Sequence, residues 1–595
     1  MIINSKVRSA VAVFGVFCIV FAAQDVYAVG TVRYMPDVTK EMSKASYWSD
    51  KVADSKRVLA TTDEIYALDQ EIYKTSLETR DMAAWSEKDF DARALVRALL
   101  SGAEADATYL WNVGARYYPD GSKAASRDDL YSEPISLCRD PSVDPDSAGE
   151  DTREFKFAVC TERTSLTVFP TDQPFQDDPD DPDFDYNYLT QVKVNEPVVL
   201  RTQSVPLEDG RFYYSARTMC GSGWIPADCV AVCKDKEEWL GAWNYPSDQL
   251  LVVLDDKIWT EESNKQTETA RRKLPMGTRL QLATEEEAAG QIAGRTAHNN
   301  HVVWMPVRKS DGTYEKKLAL IGENRKVSEG YPELTVENLM SVALNQLGDV
   351  YGWGSMLGTD DCSGYIRDVY SCFGLDMPRS TNRNNGVMKS YKLSDMSDSD
   401  KAAFIKTLPP GTDLTFSGHE MMYLGYEGDK IYVISSLGTM RFPGDDNITR
   451  IWGTVINTLD IRRRDDQTWL HHLNEAMVPF YSADHEDWVD MADGYVDAKG
   501  KTVKIKYSKL REKAQTVKRS AAIKITESSG KLTYSLKAVN KKKYKKYFKV
   551  YSTTGNIKVK KGLKKGTYRL TVRVTAADKN HTEYSDTVKV KIKVK

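Results

Sequence analysis

Tyr351-Gly-Trp-Gly-Ser-Met-Leu-Gly-Thr-Asp-Asp-Cys362-Ser-Gly-Tyr365 is the stretch from which the rest of the chain is read. Three glycines lead to Cys362. After it, Tyr365, Ile366, Val369, Tyr370 and Phe373 recur on one face at helical spacing. A thiol at the start of a helix feels the positive end of the helix dipole. That favours the thiolate, the form that attacks a carbonyl. A lone cysteine is more often structural. The glycine-rich approach and the helix start tilt this one toward a nucleophile.

A nucleophilic cysteine needs a base. His419 is the only histidine between His301 and His471, in the apolar strand pattern Gly418-His419-Glu420-Met421-Met422-Tyr423-Leu424-Gly425. A third group should orient its ring. Strands over 419–425 and 429–435, joined by a turn over Tyr426-Glu427-Gly428, place Ser435 opposite His419. A turn centred one residue later places Leu437 there instead. A serine accepts a hydrogen bond but supplies no charge.

Outward from this point, residues 329–480 read as an α+β domain. A helix from Val336 to Leu347 comes first, then the Cys362 helix, then strands near His419 and Tyr432. Residues 151–240 and 241–328 each show short strand patterns. Each carries an aromatic-hydrophobic-proline step, at Trp224-Ile225-Pro226 and Trp304-Met305-Pro306, and they read as two related small barrels. Residues 29–150 read as mostly helical, with Ile65, Leu68 and Ile72 and then Leu95, Val96, Leu99 and Leu100 at helical spacing. The acidic, proline-containing stretches 140–151 and 172–185 read as loops.

The two ends differ most. Lys6 and Arg8 precede an apolar run, and Val26-Tyr27-Ala28 offers a cleavage site. Residues 1–28 are therefore expected to be a secretory signal. After a linker at 481–500, residues 501–595 hold 29 Lys+Arg against 5 Asp+Glu; the other 500 residues hold 53 against 80. The basic end alternates apolar with cationic residues, as in a β-sandwich with one solvated face. Export argues against a nucleic-acid partner and leaves two readings of 501–595, a module for anionic wall polymers or a solvated cationic spacer with no specific ligand. No apolar run of membrane-spanning length follows the signal, so stable membrane insertion is not expected. Seven cysteines remain after Cys18, an odd number, so at least one thiol is expected free. Cys220, Cys229 and Cys233 lack the spacing of a zinc site, and neither metal nor cofactor is expected.

Tyr-Gly-Trp-Gly, Asp361-Cys362-Ser363-Gly364, Met377-Pro378-Arg379 and Gly418-His419 with Tyr423-Leu424-Gly425 together resemble the NlpC/P60 cysteine peptidases of bacterial cell walls. The helical start and the two strand-rich blocks are similar to the stabilising domain and paired bacterial SH3 domains of multidomain members. The lysine-rich end resembles the immunoglobulin-like modules of secreted proteins. The resemblance implies a papain-like catalytic domain in a multidomain α+β chain. In it Cys362, His419 and Ser435 are catalytic, and Tyr351, Trp353, Asp361, Ser363, Arg379 and Ser380 bind substrate. It also implies a peptidoglycan stem peptide cut between γ-D-glutamate and the diamino acid, by a secreted enzyme at the wall. Ser435 stands where the family usually has a histidine, and Ser380 where members specific for a free N-terminal L-alanine often have an acid. The alternative expectation is a weak or inactive relative that binds wall peptides.

Overall fold

The computed structural model describes residues 33–595 apart from 53, 77, 381–385, 484–495, 529–530 and 578–582. The expected signal at 1–28 and most of the expected linker lie outside the described residues.

Helix α1 (Thr62–Thr75) starts on a capping box in which Thr61 and Glu64 satisfy each other's backbone N–H groups. It buries Ile65, Leu68 and Ile72, the spacing read from sequence. Helix α2 (Ala92–Val113) is capped by Asp91 and ends at Gly114; α3 (Arg127–Leu137) is capped by Ser126. The helical region has no single core of its own. Met42, Trp48, Ile65, Leu68 and Ile72 join the core that holds Leu339, Tyr365 and Met422. Helices α2 and α3 pack Leu110 and Tyr131 against Phe169, Phe175 and Trp224 of the following segment.

Seven strands build the first sheet: β1 (Lys156–Cys160), β2 (Thr164–Thr167), β3 (Tyr188–Val192), β4 (Pro197–Gln203), β5 (Tyr213–Thr218), β6 (Gly221–Pro226) and β7 (Val230–Val232). They lie in the order β7-β1-β4-β5-β6-β2-β3. Five build the second: β8 (Leu250–Val253), β9 (Arg279–Leu282), β10 (Asn300–Arg308), β11 (Tyr314–Gly322) and β12 (Val327–Glu329), in the order β11-β10-β9-β8-β12. The aromatic-proline steps fall in β6 and β10, but the two sheets differ in strand number and order.

The third unit follows the expected sequence of helices and then antiparallel strands. Helix α4 (Val336–Ala343) continues as a 3-10 turn over Leu344–Gln346, and α5 (Cys362–Ser371) follows. The sheet contains β13 (Met388–Lys392), β14 (Asp413–Phe416), β15 (His419–Glu427), β16 (Lys430–Arg441), β17 (Ile448–Thr458) and β18 (Glu475–Ser482), in the order β13-β18-β14-β15-β16-β17. Every residue of α5 is buried. Its apolar face (Tyr365, Ile366, Val369, Tyr370) enters the core under this sheet. Its polar face meets the first sheet: Lys193 Nζ lies 2.8 Å from Asp368, and Arg367 3.3 Å from Glu196.

The C-terminal unit pairs β19 (Thr502–Ile505), β20 (Lys531–Val539), β21 (Gly566–Ala577) and β22 (Glu583–Val594) in the order β19-β22-β21-β20. Three short strands form a second sheet, and the inward residues of both sheets share one core. Among the described residues no helix is long and apolar enough to cross a membrane. All seven cysteines after Cys18 are free thiols. Those weighed for zinc face other groups: Cys220 lies by Thr218 and Cys229 by Glu162.

Candidate active site

Cys362 is the first residue of α5, and the Asp361 side chain caps the helix by accepting the Gly364 N–H at 2.8 Å. The approach loop is tightly folded. Gly354 has φ +54, and a Cβ there would sit 2.4 Å from the Tyr188 carbonyl oxygen, so only glycine fits. Arg163, just before β2 of the first sheet, donates to the Ser355 and Thr359 carbonyls at 2.9 and 3.0 Å. The nucleophile's loop and helix are thus both held by residues from 163–196.

The predicted site residues Asp361, Ser363 and Arg379 meet in one knot. Asp361 Oδ2 accepts from Arg379 at 2.5 Å and from the Gly354 N–H at 3.0 Å; Arg379 also donates to Ser363 Oγ. Burial opposes ionisation of Asp361, but the Arg379 guanidinium overrides it and keeps the carboxyl below its ordinary range. The Ser380 N–H donates to Glu78 at 3.0 Å. Tyr351 packs on Trp452 at 4.9 Å, and Trp353 on Phe184 at 4.3 Å. Burial, then the neighbouring Cys362 and Asp361, raise the Tyr351 hydroxyl and keep it protonated.

His419 opens β15 after Gly418, with its ring between Phe416 (5.5 Å) and Trp469 (4.8 Å). Its Nε2 lies 3.2 Å from Ser435 Oγ, so Nδ1 is the ring nitrogen that Ser435 does not engage. The hairpin that unites them differs from the expected one. Glu427 pairs with Lys430 across a two-residue Gly428-Asp429 turn, not a turn over 426–428. A bulge between Tyr423 and Gly425 then restores the frame in which Met422 faces Ile434. That frame places Leu437 directly across from His419, with Ser435 two residues along on the same face. Without the bulge the two side chains would point to opposite faces. Gly425 (φ +145) sits at the bulge, and a Cβ there would lie 3.3 Å from the Trp48 ring.

The resting thiol is not the expected thiolate. Burial, then the Asp361 and Glu420 carboxylates, push the Cys362 thiol up; the Glu420 N–H, bonded to the sulfur, only partly opposes them. Its packed surroundings, then the Arg463 guanidinium, hold the His419 imidazole down to about 3. The pair rests as neutral thiol and neutral imidazole. Two cavities meet at it. One of about 650 Å³ is lined by Cys362, Ser363, Arg379, Tyr188 and Arg217. The other, of about 580 Å³, is lined by His419, Arg463, Arg464, Asp465 and Trp469. Tyr351 and Gly418 line both.

Residues 348–478 match the NlpC/P60 family. The match spans about a fifth of the chain and contains Cys362, His419 and Ser435. An NlpC/P60 endopeptidase structure from Photobacterium damselae subsp. piscicida aligns at 16% identity over 76% of this chain and 99% of that chain, with a TM-score of 0.55, so the fold is shared. A protocadherin γB7 EC3–6 structure aligns at 10% identity over 58% of this chain and 67% of that chain, but its TM-score of 0.15 carries no argument. No curated protein matches.

Sequence reading missed the groups that hold the candidate site from outside the matched residues 348–478. Gln191 Nε2 donates to Asp360 at 2.9 Å and to Asp368 at 2.6 Å, while Gln346 reaches Asp360 at 3.1 Å. Burial, then Asp368, raise the Asp360 carboxyl to about 7. Nothing in the local sequence of Gln191 or Lys193 signals partners about 170 residues away.

Proposed function

We propose that the protein is a secreted cysteine peptidase that hydrolyses peptidoglycan stem peptides between γ-D-glutamate and the diamino acid. The observation that carries this reading is the placement of a thiol and an imidazole where two cavities meet. His419 takes the Cys362 proton at Nδ1 while its Nε2–H donates to Ser435 Oγ. The sulfur attacks the peptide carbonyl and forms the tetrahedral adduct. The Cys362 N–H, first in its helix and without an intrahelical acceptor, and the un-ionised Tyr351 hydroxyl are donors for the oxyanion. His419 returns the proton to the departing nitrogen. Water, deprotonated by His419, then hydrolyses the thioester and frees the acid and the thiol. Because His419 protonates the leaving amine, the leaving segment lies in the cavity lined by Arg463 and Arg464, and the acyl segment lies on the Cys362 side.

In this reading the sheets of 156–232 and 250–329 serve as SH3-like modules, the first of them completing the acyl-side cavity. Residues 501–595 bind anionic wall polymers. A second reading, wall-peptide binding with little turnover, rests on the neutral Ser435 at the orienting position. Mass spectrometry of defined muropeptides incubated with the protein tests the assignment. A new amine on the diamino acid is expected. Cleavage at another bond contradicts the specificity, and intact muropeptide favours the second reading.

A further inference from the structure

The outward face of the C-terminal four-stranded sheet carries cations placed opposite one another. Strands β19 and β22 run parallel with Lys504 across from Lys593. Strands β22 and β21 run antiparallel with Lys591 across from Arg569. Lys589 and Arg573 continue the same face, because side chains two apart share a side. Lys504, Lys589, Arg569 and Arg573 are exposed, and Lys591 and Lys593 are half-exposed. The alternate residues Leu570, Val572, Val588, Val590, Ile592 and Val594 fill the core and fix which way the cations point.

Like charges directly opposite each other destabilise a sheet. Among the described residues no Lys or Arg of 501–595 forms an ion pair with an acid. Hydroxyl residues stand beside the cations on this face: Thr502 beside Lys591, Thr567 beside Lys593, Thr571 beside Lys589 and Thr587 beside Arg573. A threonine is therefore an acceptable occupant of this face, and the fold does not require the cations.

We propose that this face is a docking surface for an extended phosphodiester polymer with one negative charge per repeat. The inference deepens the reading of 501–595 as a wall-polymer module and rests on it. Cations stand about 5 Å apart across strands and about 7 Å apart along them, a spacing set by sheet geometry. Lysine, the majority here, binds phosphate as a point charge without demanding fork geometry. A flexible chain of repeating charges can follow such a grid, with the threonine hydroxyls as added donors.

The test uses the full chain and poly(glycerol phosphate) as the probe, with poly-γ-glutamate of similar length for comparison. Wild-type protein should bind the phosphodiester polymer, with affinity falling linearly in log salt. Arg569→Thr, Lys591→Thr and Lys593→Thr combined should weaken binding at least tenfold at 0.1 M salt. They should reduce the salt slope by about 2, at about 0.7 per lost contact. The melting temperature should stay level or rise, since like-charge contacts are removed. Thr567→Lys, which extends the grid, should tighten binding and supports the proposal even if the triple variant folds poorly. Wild-type binding that the triple variant retains unchanged overturns the face while leaving the wall-polymer reading intact. Absence of wild-type binding at low salt overturns both. Equal affinity for poly-γ-glutamate overturns the phosphodiester assignment.

Discussion

Around the Cys362 helix charge is buried and paired; on the C-terminal sheet it is exposed and set like against like. Lys193 and Asp368 are both about 1% exposed and 2.8 Å apart, and Asp361 is locked to Arg379. Lys591 faces Arg569 with no acid between them. The first arrangement costs desolvation and returns a fixed geometry, since a buried charge tolerates its partner in few positions. The second costs repulsion with no ion pair among the described residues to offset it, and in the proposed reading a partner offsets it. Charge serves as architecture at one end of the molecule and as an offer at the other.

Breaking the architecture should have the largest effect on stability. Lys193→Met takes the nearer cation from buried Asp368 and leaves it Arg367 at 3.7 Å and the Gln191 amide, so a loss of up to about 3–5 kcal/mol is expected in denaturant unfolding. Adding Asp368→Leu should recover much of that loss. If Lys193→Met alone is neutral, the buried pair does not hold α5 against the first sheet.

Removing the offer should spare the chemistry. Deleting 501–595 should weaken wall binding by tenfold or more, at least about 1.4 kcal/mol. Cleavage of small soluble fragments should be unchanged. Wild-type binding should also collapse at high salt, where the Debye length falls from about 10 Å at 0.1 M to about 3 Å at 1 M. Equal wall binding by the truncated form would make the basic end a spacer.

A smaller effect is expected where the pairing is neutral. Ser435→Ala removes one hydrogen bond from His419, about 1–2 kcal/mol in the barrier, or roughly 5–30-fold in kcat/KM. An unchanged rate would place the orienting group elsewhere.

The smallest expected effect is a flat one. With the His419 imidazole held down to about 3 and the Cys362 thiol pushed up, the neutral pair persists across pH 5–8. The base is lost only as pH falls through its lowered folded value. The acid limb of kcat/KM should therefore lie below about pH 5 rather than near the ordinary histidine value of about 6.5. A limb near 6.5 would mean that His419 is far better solvated in the working enzyme.

What the sequence disclosed was local. The Ile65, Leu68 and Ile72 spacing of α1, the apolar face of α5 and the alternation of β21 and β22 are each written within about ten residues and appear as read. The face shared by His419 and Ser435 was also legible, though by a different route. The expected turn over 426–428 and the observed Gly428-Asp429 turn with a bulge give frames two residues apart, and an even slip keeps side chains on the same face. The bulge itself was hidden, because Gly425 packs against Trp48, some 380 residues earlier. The polar side of α5 was equally hidden. Arg367, Asp368 and Ser371 look like a solvated helix face until Lys193 and Glu196 arrive from the first sheet. The thiol's resting protonation escaped as well, since helix position is local and desolvation is a property of the whole packed site.

The central claim is that Cys362 is the nucleophile of a stem-peptide hydrolase. Turnover of one defined muropeptide by wild-type protein and by Cys362→Ala, with melting curves for both, tests it most directly. Cleavage by the wild type, no product from the variant and matching melting curves are expected. Undiminished turnover by a folded Cys362→Ala protein would contradict the account.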